Sequence, residues 1–205
     1  MDHVNEHNIT CYCEQEVKVT VPEIINLENS PEKADEIIQG EFLKLICPNC
    51  GKELKPEFEI VFHFAGSGPS LLFLPEIKRE AFYKGQKEVP RDHNLVIGYP
   101  ELREFLLMNR SSLDRFSIEA IKLHLLQKAP SESGIVIYFE KIENEKLIFE
   151  VIGLRKDEVG IVQVPLKTYH KLVQDKDQLV QEEPYNAMFR SPYISVKLVS
   201  FEEAS

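Results

Sequence analysis

The chain has 205 residues, 43% of them hydrophobic and 28% charged, a globular composition for one domain with an appendage or two small domains. Lys and Arg total 24 against 34 Asp and Glu, a net charge of −10. That balance argues against nucleic-acid binding by phosphate neutralisation and against docking on an anionic membrane.

Glu16 to Pro22 alternates, with Val17, Val19 and Val21 on one face and Glu16, Lys18 and Thr20 on the other; this predicts a half-buried strand. A short helix is predicted next, with Ser30 as its cap, Pro31 at its first position, acids in its first turns and Gly40 at its end. Phe42 to Cys47 is expected to return as strand. Pro56 to Phe64 is the clearest strand, with Phe58, Ile60, Phe62 and Phe64 on one side and Glu57, Glu59, Val61 and His63 on the other. A turn at Ala65 to Pro69 leads into a further strand, Ser70 to Leu74.

Arg79 to His93 is polar and expected to be mostly loop, and Leu95 to Ile97 a strand. Glu101 to Asn109 and Leu113 to Lys128 are predicted helices, the second with a stripe of Leu113, Phe116, Ala120 and Ile121 and with Ser112 as cap. Ile135 to Glu140 and Leu147 to Ile152 flank Asn144 as a hairpin, and Val159 to Val164 is another strand. Thr168 to Gln174 is predicted as a short helix. Tyr193 to Val199 alternates and is expected to close a sheet. The fold class is α+β: a zinc-ribbon-like β unit with an inserted helix over residues 1–74, then a helical pair and a C-terminal antiparallel sheet over 75–205. Whether the two share one core is left open.

The N-terminus lacks a basic segment followed by an apolar one, and no run of about 18 apolar residues occurs, so neither a secretory leader nor a membrane span is expected. A cytoplasmic location follows as the default. Thiols there are kept reduced, and closely spaced cysteines bind metal more often than they form disulfides.

All four cysteines fall in two tight pairs, Cys11-Tyr12-Cys13 and Cys47-Pro48-Asn49-Cys50, the second followed by Gly51. Zinc favours four soft ligands in a tetrahedron, and the Cys-x-x-Cys turn folds two sulfurs towards one point, whereas the single residue between Cys11 and Cys13 gives a less regular knuckle. Gly51 allows the turn a positive φ and lets amides approach the thiolates. The 33 residues between Cys13 and Cys47 exceed the roughly 15–20 usual for such a site. The inserted helix accounts for the excess, and strands beyond each knuckle are expected to pair and bring the knuckles together. Cys11, Cys13, Cys47 and Cys50 are therefore read as zinc ligands, against a metal-free redox dithiol or idle thiols. His7 and His3 lie just upstream and are alternative ligands.

These residues resemble the CpXC-domain proteins of bacteria and archaea, whose hallmark is two Cys-Pro-x-Cys motifs separated by a helix-bearing segment. Cys47-Pro48-Asn49-Cys50-Gly51 matches the second motif, and Pro31 to Gly40 looks like the insert. Phe62-His63 falls where the family often carries an aromatic–histidine pair, although Phe64 is not the acid expected next. Leu113 to Lys122 is similar to a recurrent helical stretch. The resemblance covers Ile9 to Lys128 and departs at the first motif, which lacks the proline and is one residue short. It implies a zinc-ribbon-like module and nothing about a substrate.

Other polar groupings carry ordinary readings. Glu57, Glu59 and His63 share a strand face that could hold a hard metal or an acid–base pair, but such a face is usually the solvent side. Asp114, Arg115, Glu119 and Lys122 could form a polar site or simple helix-surface pairs. His124 reads as a core or boundary residue, and Arg91-Asp92-His93 as loop. Gly66-Ser67-Gly68 is no phosphate loop, and no Gly-x-Ser-x-Gly elbow occurs. The expected function is a structural zinc module presenting a surface to another protein, a reading that leans away from an enzyme. The alternatives are a thiol-redox switch, since a Cys-x-Cys before a Cys-x-x-Cys also looks like the zinc switch of a bacterial redox-regulated chaperone, and an enzyme acting through the Asp114/Glu119 region.

Overall fold

The computed structural model describes residues 4–66, 68–129 and 134–199. The fold is α+β, with strands first, helices in the middle and an antiparallel sheet towards the C-terminus. It divides into two compact units, Met1–Arg103 and Glu104–Ser205.

In the first unit β1 (Val4–Thr10) and β2 (Glu16–Pro22) form an antiparallel hairpin, with Ile9 opposite Val17 and His7 opposite Val19. β3 (Ile24–Asn26) follows. α1 (Pro31–Gln39) ends on Gly40, whose left-handed φ of 80° lets its amide bond back to the last turn. Ser30 holds the cap position, yet its hydroxyl makes no capping bond. β4 (Leu45–Ile46) and β5 (Glu53–Leu54) form a second, shorter hairpin, so the strand expected over Phe42 to Cys47 shrinks to two residues.

β6 (Ile60–His63) lies between β3, in parallel, and β7 (Leu71–Leu74), antiparallel. β6 starts later than expected because Glu57 turns its carboxylate onto two backbone amides, those of Glu76 and Tyr99 at 2.6 and 2.9 Å. All four residues of β7 are buried, as befits a strand covered on both faces. A crossover leads to β8 (Asn94–Ile97), parallel to β7. The expected loop in this crossover instead contains a 3-10 turn, Glu76–Lys78, and α2 (Arg79–Tyr83). Arg79 fixes it by bonding Glu76, Glu101 at 2.8 Å and the Ile97 carbonyl at 2.8 Å, while Phe82 and Tyr83 go inward. Because β8 pairs with β7, residues 75–103 stay with the first unit and the division falls later than the expected 74/75, inside α3 (Tyr99–Arg110).

The second unit begins with α4 (Arg115–Leu126) and continues as a meander of β9 (Val136–Glu143), β10 (Lys146–Arg155) and β11 (Glu158–Pro165), in the order β11-β10-β9. Asn144 and Glu145 both take positive φ in the β9–β10 turn, as the hairpin reading of Asn144 requires. α5 (Leu166–Leu179) is twice as long as the expected segment, and it buries Tyr169 and Leu172. The core is Phe116, Ile118, Phe139, Leu147, Phe149 and Met188 with their neighbours.

The expected strand over Tyr193 to Val199 does not form as such. β12 (Phe189–Arg190) and β13 (Tyr193–Ile194) make a small hairpin, and helical residues follow at 197–199. Ser195 stops the strand, since its Oγ accepts the Lys197 amide at 3.2 Å and its carbonyl accepts the Leu198 amide at 3.2 Å.

The cap of α4 is Asp114 rather than Ser112, which adopts a φ of 51° outside the helix. Asp114 Oδ2 accepts from the Ser117 amide and hydroxyl, both at 2.9 Å, and Oδ1 accepts from Lys176 Nζ at 2.6 Å. Burial alone would raise this carboxyl, but Lys176 and Ser117 outweigh it and hold the group below its usual value. A depressed carboxyl contributes stability above its unfolded pKa that is lost as pH falls through the folded one. Asp114→Ala is expected to cost about 1–2 kcal/mol at neutral pH, with the gap to wild type closing in acid. Denaturant titrations at pH 7 and pH 3 check this; a gap that stays constant would refute it.

Candidate metal centre

Each cysteine pair sits at the tip of a hairpin. In the β1–β2 tip the Cys11 amide bonds the Gln15 carbonyl at 2.9 Å and the Glu14 amide bonds the Cys11 carbonyl at 2.8 Å. In the β4–β5 tip the Cys47 amide bonds the Lys52 carbonyl at 2.9 Å and the Gly51 amide bonds the Cys47 carbonyl at 3.0 Å. Glu14 (φ 66°) and Gly51 (φ 70°) hold the same left-handed place in the two turns. The missing residue of the first motif is thus absorbed in a tighter turn, with both sulfurs still presented inward.

The four sulfurs lie within 4.8 Å of one another. Cys11 Sγ is 3.6 Å from Cys50 Sγ, and Cys13 Sγ is 3.7 Å from Cys47 Sγ. A tetrahedron of thiolates with bonds of about 2.3 Å has edges of about 3.8 Å, so the donor set fits one four-coordinate ion. Cys11 and Cys47 are buried, Cys13 is half-buried and Cys50 is exposed. This group could bind a metal.

Backbone and side-chain amides turn towards the sulfurs, which favours the thiolate form that ligates metal. The Asn49 side chain donates to Cys13 Sγ at 3.5 Å. That bond, with help from the Gln15 amide, lowers the Cys13 thiol to about 6. The Cys50 and Asn49 amides lower Cys47 despite its burial. The Cys13 amide lowers Cys11 too, but burial and the neighbouring thiols outweigh it and push the group up. Asn49, the variable position of its motif, is a contributor that residue type alone did not reveal.

Strands beyond the two knuckles do pair, β3 with β6 in parallel, but the hairpins that carry the knuckles do not pair with each other. β1–β2 and β4–β5 are separate two-stranded sheets. The second knuckle is also held through Tyr99, whose single hydroxyl hydrogen is shared between the carbonyls of Pro56 at 3.1 Å and Phe42 at 3.3 Å. The Phe42 ring in turn meets Phe62 and Tyr99. On the first hairpin the His7 ring packs at a tilt against Phe58, with centroids 4.5 Å apart. His7 is thus a packing residue outside the sulfur cluster, and His3 lies outside the described residues.

The other polar groupings dissolve into structure. Glu57 caps backbone amides, Glu59 pairs with Lys87 at 2.9 Å, and His63 Nδ1 bonds Ser70 Oγ at 2.7 Å. His124 meets the Tyr185 hydroxyl at 2.5 Å, with burial lowering its pKa. Glu119 and Lys122 are not on a helix surface: they form a buried triad with Glu104. A cleft of about 360 Å³ borders β2, β3 and α1, where Lys33 pairs with Glu36 at 2.7 Å and Asn26 Oδ1 accepts from the amides of Glu28 and Asn29. Among the described residues no helix is long and apolar enough to cross a membrane.

The CpXC protein family matches residues 9–122. An uncharacterised protein of Treponema pallidum (strain Nichols) is 27% identical over 213 residues, covering 93% of this chain and 97% of that protein. No solved structure matches.

Proposed function

This chain belongs to the CpXC protein family, and on that basis we propose that it is a zinc-binding protein whose metal is structural and whose ribbon tip engages another protein. The observation that carries the reading is the closed set of four cysteine sulfurs within 4.8 Å. Four protein thiolates fill a tetrahedral shell and leave no position for water or substrate, the pattern of a structural rather than a catalytic zinc. Cys11, Cys13, Cys47 and Cys50 hold the ion, and it stabilises two short hairpins with little core of their own. A reducing compartment such as the cytoplasm keeps the thiols available.

The tip also offers an anchor of the kind protein interfaces use. Tyr12, between the two cysteines of the first knuckle, is 89% exposed, and Ile46, just before the second, is 57% exposed. Lys52 Nζ lies 5.9 Å from the Tyr12 ring, joining the two hairpins' exposed surfaces. The net charge of −10 directs the reading to protein rather than nucleic acid.

Elemental analysis of protein from zinc-replete cells is expected to find one zinc per chain, lost on replacing Cys47 by serine. Zinc-free protein with reduced thiols would sink the reading. The exposure of Cys50 favours a second reading, a redox switch, because an oxidant can reach that sulfur. Peroxide treatment separates the two. A structural site is expected to release zinc slowly and expose no new apolar surface; release within minutes, reversed by reductant and accompanied by client binding, would make the switch the correct reading.

A further inference from the structure

We propose that β11 is a self-association edge, through which two copies of this chain pair antiparallel about a twofold axis. The meander of the second unit has two edges, and they are treated differently. On β9 the Phe139 amide is taken by Glu104 Oε1 at 2.6 Å, a buried carboxylate that blocks further pairing there. β11 has β10 on one side and, among the described residues, no strand on the other.

The register says which backbone groups are open. Leu166 donates to the Glu145 carbonyl at 2.9 Å, and β11 pairs antiparallel with β10 from Pro165 opposite Lys146 to Val159 opposite Ile152. The alternation of an antiparallel ladder then turns Val164, Val162 and Gly160 towards β10 and turns the amides of Gln163, Ile161 and Val159 outward. Two of the three side chains in this row, Val159 and Ile161, are apolar and solvent-facing, and the third, Gln163, is polar and exposed. Val159 is 57% and Ile161 56% exposed, and Ile152, opposite Val159, is 43% exposed. Between Glu158 and Pro165 at its two ends, this edge strand carries no charge or proline of the kind that normally prevents pairing.

Charge selects a second copy as the occupant. Val159 to Val164 contains no ionisable residue, so an identical strand meets no like charge across it, although each chain carries −10. In the register centred on Val162, Ile161 faces Gln163 of the other copy, and Asp157 comes against Lys167 at the start of that copy's α5. The twofold axis repeats both contacts. Pro165, which has no amide to offer, falls at the end of the paired stretch.

Light scattering on the zinc-loaded full chain, from low-micromolar to submillimolar concentration, is expected to rise from the 23.7 kDa monomer mass to twice that value. Ile161→Lys sets lysines near the twofold axis and is expected to weaken the dimer by roughly tenfold or more. Ile77→Lys, at an 86% exposed site in the first unit, is expected to leave it unchanged. Hydrogen exchange on the wild type supplies a readout that needs no variant: the Val159, Ile161 and Gln163 amides should become protected as concentration rises. A chain monomeric throughout the range would overturn the proposal. So would a dimer whose Ile161 amide exchanges freely, or one indifferent to Ile161→Lys with the variant's circular dichroism native; a strand from another protein as the sole occupant would appear as the first of these.

Discussion

Replacing Cys50 by serine is expected to unfold the N-terminal ribbon while leaving the C-terminal meander intact. Structural zinc contributes on the order of 10–16 kcal/mol in small isolated modules, more than two hairpins of this size can replace. β4 and β5 are two residues each, and only Val21 of β1 and β2 is buried apart from the cysteine at their tip. By contrast Ile137, Phe139, Leu147, Phe149 and Val151 form a buried face within the second unit's own core. Hydrogen exchange is therefore expected to lose protection over β1, β2, β4 and β5 and to keep it over β9 and β10. Equal loss across both units would mean that they fold as one cooperative body.

The second large effect is expected at Lys122, within the buried triad. Its ammonium lies 2.9 Å from Glu104 and 2.7 Å from Glu119. The carboxylates' other oxygens accept the Phe139 amide at 2.6 Å and the Val196 amide at 2.7 Å. One charged cluster thus ties α4 to β9 and to the segment after β13. Removing the cation leaves two carboxylates in a dry site, and breaking such a pair costs about 3–5 kcal/mol. For a unit of roughly 100 residues that lowers the melting temperature by on the order of 15–30 °C.

The pH dependence of Lys122→Met follows from the same groups. Burial raises the Glu104 carboxyl even with Lys122 beside it, and without the ammonium nothing of that strength opposes the rise. A carboxyl raised in the folded state binds protons more tightly there than in the unfolded chain, so stability grows as pH falls towards its unfolded value. Lys122→Met is thus expected to regain stability on mild acidification, and adding Glu104→Gln should recover part of the loss at pH 7. Thermal melts at pH 7 and pH 5 check both. A single-variant loss under about 1 kcal/mol would show that the triad is solvated rather than dry.

The cysteine pairing, the inserted helix and the family were legible in the chain itself, because each rests on local chemistry. Two close thiols at a turn, a proline that opens a helix and a glycine that closes it act within a few residues. The alternating strands were legible for the same reason, as in β2, and Asn144 marked its hairpin. What only the tertiary structure decided depends on residues far apart in the chain. Ser112 and Asp114 are both good caps by type, and Lys176, 62 positions on from Asp114, favours the aspartate. Glu119 and Lys122 read as a surface pair until Glu104 and two distant amides enclose them. Tyr193 to Val199 alternates like a strand, but Ser195 turns the backbone after two paired residues, and its neighbour Val196 gives its amide to Glu119. Alternation fixes a face only where a partner strand is present to define it, and local sequence does not carry that information. The knuckles themselves show the same division: each turn is written in its own residues, and their meeting at one point is a property of the folded chain.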